Sequence, residues 1–565
     1  MRSYSKVSRR VLWMTRCLCA VCIFTFAWVA AAQEAPIVPN SVIVVFQGQS
    51  LPADAAARVE RAGGTVVSTM SNVGVLVARP VTVNSSTLIS NLKKDSAILD
   101  ADYDRMLSLI APNQIAPETS PITQTDIAHP GPTFSSALPA DFFYTSSPQQ
   151  WAVKRVGAQG GGIAGGSNGA WDITKGGGVK IAILDTGVNP AHPDVSGNLI
   201  FNATFTSYDS ANFGPQNCEV PDPADPNHLR DLTVDQVGHG TWTSSLAAGA
   251  AGPGTGLMIG VAPEANILNI KVLRAVAVAP GLITPPSADT PFNRCLLRGG
   301  SGLFSWTLEG MLLASEQGAD VISMSLGGFV PRNQPGGAAL FSAFNRVANS
   351  VTAHGAIVLA AAGNAALDLG RIQAVVELPA QASNIIAVMA TTNPSVPPTG
   401  CPPGTDCLAS YSDFGSNLHG LSAPGGDIPS GGCAFSGTPC NPTGFIRGAC
   451  SAGVPGTTTP SPSGYPASGP PPAGTSWGCF SLSAIVSGQR VNHIWYVQAT
   501  GTSGATPIAA GVAALVKAAN PSLTPSQVRT ILQQTAQDIG KVGYDPLFNF
   551  GLVDATAAVA VAAGR

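Results

Sequence analysis

Four polar residues have the side chains that hydrolysis of an amide bond requires. Asp185 follows the apolar run VKIAIL, and His239 lies between two glycines in VGHGTWTSSLAAG. Ser503 lies in GTSGATPIAAGVAALV, where a turn leads into a helix of small residues, and Asn364 follows AIVLAAAG. A serine at a helix N-terminus, a histidine base, a carboxylate that orients the base and an amide donor supply a nucleophile, proton transfer and oxyanion binding. The four residues predict acyl transfer to water through a covalent intermediate.

Each of these residues also has an ordinary explanation when it is taken alone. Asp185 can cap the amides of its turn, His239 can simply begin a helix, and Ser503 can cap one. An asparagine after a glycine, such as Asn364, is a common turn residue. The order Asp, His, Ser along the chain is more specific, because it is one of three orders in which this kind of triad occurs. The order Ser, Asp, His is excluded, since no histidine follows Ser503.

Short β-branched runs alternate with helices rich in glycine, alanine and serine between about residue 150 and the C-terminus. This alternation predicts an α/β fold with a mainly parallel sheet, helices on both faces and a catalytic site at the carboxyl ends of the strands. Strands are predicted at 179–184, 266–273, 321–325, 357–361 and 385–390. Helices are predicted at 240–250, 303–317, 340–354, 502–520 and 525–536.

Eight segments in this region resemble the subtilase (subtilisin-like, peptidase S8) family of serine proteases, in the order in which that family carries them. They span about residues 150–558. The resemblance implies Asp185 as triad acid, His239 as general base, Ser503 as nucleophile and Asn364 as oxyanion donor. The segments are AILDTGVNPAHPDV, GHGTWTSSLAAG, GVAPEANILNIKVL, DVISMSLGG, VLAAAGN, ELPAQASNIIAVMAT, YSDFGSNLHGLSAPGGDI and GTSGATPIAAGVAALV.

The same resemblance implies how an extended peptide substrate binds. Ser325, Leu326 and Gly327 resemble the strand that pairs with the substrate main chain. Ala361, Ala362 and Gly363 resemble the opposite wall of the primary specificity pocket, where small residues leave room for a sizeable apolar side chain. No cofactor is expected to be required, no metal ligands are predicted, and no calcium ligands are assignable.

Three residues depart from the family pattern near the catalytic positions. Trp242 stands where a histidine is usual, Gly504 where a methionine usually follows the serine, and Ile508 where another histidine is usual. None is a triad position, so the departures concern pocket shape and the packing behind the nucleophile.

The N-terminal part of the sequence predicts export and a precursor. Residues 1–32 combine basic residues, a short apolar run and Ala-Ala-Ala, which is typical of a secretory signal peptide, an uncleaved membrane anchor being the alternative. Residues 33–110 read as strand (41–46), helix (52–62), a strand pair (64–80) and a second helix from about 86, and they resemble the family's inhibitory propeptide. A permanent accessory domain is the alternative. A Pro-, Ser- and Thr-rich linker (111–148) joins this small α/β sandwich to the catalytic domain (149–565).

Composition limits the partners and the redox chemistry. A net charge of -3 with 11% charged residues offers no basic surface for nucleic acid. We expect a secreted (extracellular or periplasmic) monomer that acts on proteins or peptides, is inhibited by its own propeptide and has no membrane attachment after signal removal. Eight cysteines remain after residue 32, which predicts disulfides with open connectivity; Cys401–Cys407 and Cys433–Cys440 are the short-range candidates. A zinc site is the alternative, but the region has no C-x-x-C motif.

The segment at about 428–493 is rich in glycine, proline, serine and cysteine, and it is expected to be a disulfide-pinned surface insertion. Two other functions remain open at this point. Asp185-Thr186-Gly187 is also the active-site tripeptide of aspartic proteases, but those enzymes need two such loops and this chain has one. A secreted binding protein on a degenerate protease scaffold is the second alternative.

Overall fold

The computed structural model of the protein describes residues 34–109, 114–115, 127–128, 150–159, 169–206, 213, 216–220, 231–251, 258–277, 283–284, 294–295, 298–332, 337–427, 444–451, 480–486 and 489–565. The predicted signal peptide, most of the predicted linker, much of the predicted insertion and the candidate pair Cys433–Cys440 lie outside these residues. No helix in the described part is both long and apolar enough to cross a membrane.

The α-helices of the described residues are α1 (Ala55–Ala62), α2 (Ser85–Leu92), α3 (Trp151–Arg155), α4 (Pro193–Ser196), α5 (His239–Ala248), α6 (Phe304–Glu316), α7 (Gly337–Ala353), α8 (Thr502–Ala519), α9 (Pro525–Thr535) and α10 (Ala555–Ala562). The strands are β1 (Ile37–Phe46), β2 (Gly64–Met70), β3 (Val75–Pro80), β4 (Ile98–Leu109), β5 (Gln114–Ile115), β6 (Ile127–Ala128), β7 (Lys180–Asp185), β8 (Leu199–Thr204), β9 (Asn266–Lys271), β10 (Arg274–Ala277), β11 (Ile283–Thr284), β12 (Arg294–Cys295), β13 (Arg298–Leu303), β14 (Val321–Met324), β15 (Leu326–Pro331), β16 (Ile357–Ala361), β17 (Val375–Leu378), β18 (Ile385–Thr391), β19 (Leu421–Pro424), β20 (Ile446–Ala449), β21 (Phe480–Val486) and β22 (Gln489–Thr500).

The N-terminal residues fold into an antiparallel sheet in the order β4-β1-β3-β2. On one face, Val42, Val44 and Leu76 pack against α1 and α2. On the other face, Ile43 and Val45 join the main core of the protein. The predicted strands and helices of this region are confirmed, but β4 was not predicted.

Strand β4 was not predicted because of its composition. It carries Asp100, Asp102 and Asp104 at alternate positions, and aspartate disfavours strands. The strand forms because β1 pairs with it along most of its length. Its far end reaches into the rest of the protein, where it pairs with β13 and β15.

The central sheet contains seven parallel strands in the order β19-β18-β16-β14-β7-β9-β8. The five strands and five helices predicted for this region are confirmed, each end lying within three residues of its expected position. The two edge strands, β8 and β19, were not predicted because one is partly exposed and the other is short. Helix α8 is buried along nearly its whole length and packs against β14, β16 and β18. The parallel arrangement brings the carboxyl ends of β7, β14 and β16 to one edge.

The prediction that residues 428–493 form a surface insertion is wrong for residues 445–451. Residues 445–451 are buried, because β20 pairs with β22 and packs against α5. Strand β22 then leads directly into the turn before Ser503. The predicted disulfide Cys401–Cys407 is confirmed, with the two Cα atoms 6.1 Å apart, and Cys218 and Cys450 are also disulfide-bonded.

Candidate active site

Asp185 and His239 come into direct contact at the carboxyl edge of the sheet. Asp185 is the last residue of β7, and His239 is the first residue of α5. The imidazole Nδ1 lies 2.8 Å from Asp185 Oδ1 and 2.9 Å from Oδ2, and both side chains are buried. The carboxylate is held in turn by the Thr186 backbone N–H and the Thr243 hydroxyl, at 2.7 and 3.1 Å. The contact therefore fixes the orientation of the imidazole ring.

Two glycines allow the loops of this pair to approach each other. Gly238 has a φ of 115°, a conformation that L side chains rarely adopt. A β-carbon on Gly240 would lie 2.0 Å from the Gly187 carbonyl oxygen. A larger residue at position 240 would separate α5 from the turn after β7, and one at position 238 would strain the backbone.

Asp235 links the turn after Asp185 to the start of α5 by hydrogen bonds. The sequence analysis did not identify this residue. Its fully buried carboxylate accepts hydrogen bonds from Thr186 Oγ1, from Thr241 N and Oγ1, and from the backbone N–H groups of Val237 and Gly238, at 2.7 to 2.9 Å. Burial raises the pKa of Asp235. The available signal was an aspartate just before a predicted helix start, since such residues commonly cap helices.

Ser503 and Asn364 meet at the neighbouring strand ends. Ser503 is the second residue of α8, and its carbonyl oxygen accepts a hydrogen bond of 3.0 Å from the Ser325 hydroxyl, just after β14. Asn364 follows β16, and its Oδ1 accepts from the Thr502 backbone N–H at 3.0 Å and from Thr502 Oγ1 at 2.8 Å. Thr502 therefore holds the side-chain amide of Asn364 beside the start of α8.

Trp242 connects the two halves of the site and explains two of the departures from the family pattern. Its ring packs edge-on against His239, with centroids 5.8 Å apart. A β-carbon on Gly504 would lie 2.9 Å from Trp242 Cη2, and one on Gly448 would lie 2.4 Å from Cδ1. The bulky indole thus occupies the space that a side chain at position 504 would need. Ile508, the third departure, is buried in α8, the helix that also contains Gly504.

We expect Gly504→Met to destabilise the protein by about 1–3 kcal/mol, because it overpacks the site against the indole. The double variant Trp242→His/Gly504→Met, which restores the family's usual residues, should recover most of that loss, as coupled neighbours do. Thermal unfolding midpoints in an inactive Ser503→Ala background measure both effects without self-digestion. If the loss in the double variant equalled the sum of the losses in the two single variants, the packing explanation would be contradicted.

An extended segment of the chain itself lies beside the predicted substrate strand. Leu326 and Gly327 pair antiparallel with Leu109 and Ser108 of β4. On its other side, β4 pairs with β13, Ser301 lying opposite Ser108. Leu107 and Leu109 are buried, and a β-carbon on Gly300 would lie 2.6 Å from Thr186 Cγ2 and 2.9 Å from Leu109 Cδ2. The end of β4 therefore lies next to the turn that follows Asp185.

The residues expected to form the opposite pocket wall lie at the carboxyl end of β16. Ala361 and Ala362 are buried, and Gly363 has a φ of 118°. Behind this wall stand two buried carboxyl groups, Glu377 and Asp413, which the sequence analysis missed. No group of three or more His, Cys, Asp or Glu side chains suited to a metal ion occurs among the described residues.

Comparison with known proteins identifies the family. Residues 176–551 match the model of the subtilase family, Peptidase S8. This chain belongs to the subtilase family. It is a subtilisin-like serine protease, as its relatives are. Thermitase from Thermoactinomyces vulgaris is 33% identical over 261 residues, which cover 46% of this chain and 68% of thermitase. Subtilisin Savinase from Lederbergia lenta is 27% identical over 383 residues, which cover 68% of this chain and 91% of that protease.

Solved structures of other proteases share the fold. Fervidolysin from Fervidobacterium pennivorans, a keratinolytic enzyme related to subtilisin, aligns with a TM-score of 0.56 at 19% identity and covers 94% of this chain, which spans 64% of fervidolysin. The epidermin leader peptide processing serine protease from Staphylococcus aureus aligns with a TM-score of 0.57 at 18% identity, over 93% of this subtilase and 98% of that protein. At these identities the likeness concerns the fold alone.

Proposed function

We propose that this subtilase is a secreted serine endopeptidase, made as a self-processed zymogen, in which Asp185, His239 and Ser503 form the catalytic triad. The observation that carries the proposal is the contact of Asp185 with His239 Nδ1 at the sheet edge where α8 begins with Thr502 and Ser503. Trp242 packs against both His239 and Gly504, so the base and the start of α8 are neighbours.

In the proposed mechanism the two imidazole nitrogens have different roles. Since Asp185 holds Nδ1, Nε2 takes the hydroxyl proton as Ser503 attacks a peptide carbonyl, and Asp185 stabilises the imidazolium that forms. Asn364 and the Ser503 backbone N–H donate to the oxyanion of the tetrahedral intermediate. His239 then gives its proton to the leaving amine, and water releases the acyl group from Ser503 by the same steps in reverse.

Labelling with a fluorophosphonate tests this assignment against its two alternatives. We expect covalent modification at Ser503, located by peptide mass spectrometry, and its loss in His239→Ala. An aspartic protease or a binding protein on this scaffold would leave Ser503 unmodified. Cleavage sites in a mixed protein digest would establish endopeptidase action, and the N-terminal sequence of the exported protein would test removal of residues 1–32.

The position of β4 supports an inhibitory role for the N-terminal segment. Residues 106–109 fill the place between β13 and β15 that an extended substrate would take. On the far side, β5 pairs with Ala499 and Thr500, just before the turn that leads to Ser503. Leu109 therefore pairs next to Ser325, and Gln114 pairs with a residue just before Ser503. A permanent accessory domain has no need to fill the cleft, so we infer that self-cleavage occurs in the linker that follows β4.

Two carboxyl groups lie where this segment meets helix α6. Asp104 of β4 accepts hydrogen bonds from the Ser305 hydroxyl and backbone N–H, at 2.6 and 3.4 Å, at the start of α6. Glu309 of the same helix accepts a hydrogen bond from Ser68 of β2. Burial raises the pKa of Asp104 to about 6, and burial together with the charge of Asp104 raises the pKa of Glu309.

We expect the cleaved N-terminal segment to dissociate more readily as the pH rises. Because the pKa of Asp104 in the complex is about 6 against an ordinary value of 3.8, its contribution to binding is complete below about pH 4 and is lost as the pH rises through 6. The two-unit difference corresponds to roughly a hundredfold weaker complex at neutral pH. Size-exclusion chromatography of the processed protein between pH 4 and 8 measures release. Asp104→Asn should flatten this dependence, whereas the control Asp100→Asn, at a residue paired with Lys93, should retain it.

A further inference from the structure

Glu377 is a buried carboxyl group without a partner in the described part of the chain. It lies in β17, whose four residues are all buried, and Glu377 itself is 3% exposed. Its backbone N–H bonds to Gln381, but its carboxylate takes part in no hydrogen bond or ion pair of the described residues, and Oε2 is buried. Buried acids are normally hydrogen-bonded or paired with a cation. The group therefore calls for a functional explanation.

Asp413, which lies near Glu377, is also a buried carboxyl group with one oxygen that has no hydrogen-bond partner among the described residues. Its Oδ1 accepts the backbone N–H groups of Ala365 and Leu367, at 2.9 and 2.7 Å, whereas the buried Oδ2 has no hydrogen-bond partner among the described residues. Burial raises the pKa of Asp413 to about 7. Burial, and then the nearby charge of Asp413, raise the pKa of Glu377 well above its ordinary value. Negative charges on the two acids would repel each other, and a cation between them would favour the ionised forms.

The pair adjoins both walls of the expected specificity pocket. Strand β17 pairs with β15, Glu377 lying opposite Phe329, and β15 begins with the residues that pair with Ser108 and Leu109. On the other side, a β-carbon on Gly363 would lie 2.1 Å from Asp413 Oδ2, so this oxygen lies directly behind the wall that precedes Asn364. A substrate side chain that enters between these walls is directed toward both carboxyl groups.

We propose that Glu377 and Asp413 form the anionic end of the primary specificity pocket, and that the protease prefers lysine or arginine immediately before the bond it cuts. The inference rests on the proposed protease function. A long side chain packs its methylene groups along the glycine and alanine wall and brings several N–H donors to the two carboxyl groups. Charge-assisted hydrogen bonds in a buried site are the strong ones. This preference differs from the apolar side chain that the sequence led us to expect.

The precursor supplies no cationic residue directly after β4. The residues after Leu109 are Ile-Ala-Pro-Asn, none of which is cationic. The segment that fills the cleft thus offers the two acids no counter-charge. A substrate with lysine or arginine would gain an interaction that the protein's own N-terminal segment does not supply.

A peptide series of the form Leu-Ser-Leu-X with a chromogenic amide tests the preference, since it copies residues 107–109. With X as lysine or arginine, we expect kcat/KM of the processed protein to exceed that for norleucine, the uncharged analogue of lysine, by about 10²-fold, the scale of a buried charged pair. In Glu377→Gln the lysine-to-norleucine ratio should fall at least tenfold. The control Glu316→Gln, at an exposed residue of α6, should keep the wild-type ratio.

The outcomes separate this inference from the function on which it rests. A wild-type lysine-to-norleucine ratio near 1 or below overturns the inference whatever the variants do, and so does an unchanged ratio in Glu377→Gln. In both cases the peptides are still cut and the protease assignment stands. Failure to cut any peptide, with no fluorophosphonate label on Ser503, would instead overturn the proposed function.

Discussion

Replacing Ser503 with alanine is expected to lower kcat by about 10⁶-fold, the loss known for the nucleophile of subtilisin, from which this magnitude is taken. Without the hydroxyl no acyl-enzyme forms, although the oxyanion donors and the cleft remain. The structure gives a reason to expect little effect on folding, because Ser503 is anchored through its carbonyl oxygen, which Ser325 holds. The measurement is kcat on a chromogenic peptide, with exposed Ser522→Ala as the control that should keep full activity.

The same variant reports on self-processing. Ser503→Ala should accumulate as the uncut precursor, with β4 remaining between β13 and β15. Expression in cells that lack other proteases is needed, so that trimming in trans does not occur. Wild-type turnover, or trimming at the wild-type rate, would show that Ser503 is not the nucleophile.

Replacing Asn364 with alanine is expected to lower kcat by about 10²- to 10³-fold with little change in KM, the range known for the oxyanion asparagine of subtilisin. The reason is that the amide NH2 acts on charge that develops only in the transition state. Two hydrogen bonds from Thr502 hold the amide oxygen, so Thr502→Val, which removes the one from Oγ1, should cause a smaller loss of the same kind.

A matched control is Asn349→Ala, at an exposed residue of α7 whose side chain bonds to Ser383 and Asn384. It should leave kcat and KM unchanged. A rise in KM with unchanged kcat in Asn364→Ala would mean that Asn364 binds the substrate in its ground state and is not an oxyanion donor.

The catalytic candidates were predictable because each lies in a local pattern. Asp185 follows an apolar strand, His239 is flanked by glycines, and Ser503 begins a helix of small residues, so each is marked by its own neighbours. The parallel sheet then brings the carboxyl ends of β7, β14 and β16 together, which is a general property of this fold.

The supporting residues were not predictable in this way. Gly448 and Gly504 are small because of Trp242, which is more than two hundred positions away from either in the sequence. Glu377 looked like one polar residue in an otherwise apolar strand. Only its burial beside Asp413 distinguishes it from an ordinary exposed acid.

The sequence by itself determined the family, the α/β fold and the order of the residues proposed for catalysis, because these depend on short-range periodicity and on motifs a few residues long. The tertiary structure alone decided which distant residues are in contact. It shows that β4 pairs with β13 and β15, that residues 445–451 are buried, and that Glu377 is buried near Asp413. Burial and close contact between residues distant in the chain depend on how separate elements pack, and no local pattern carries that information.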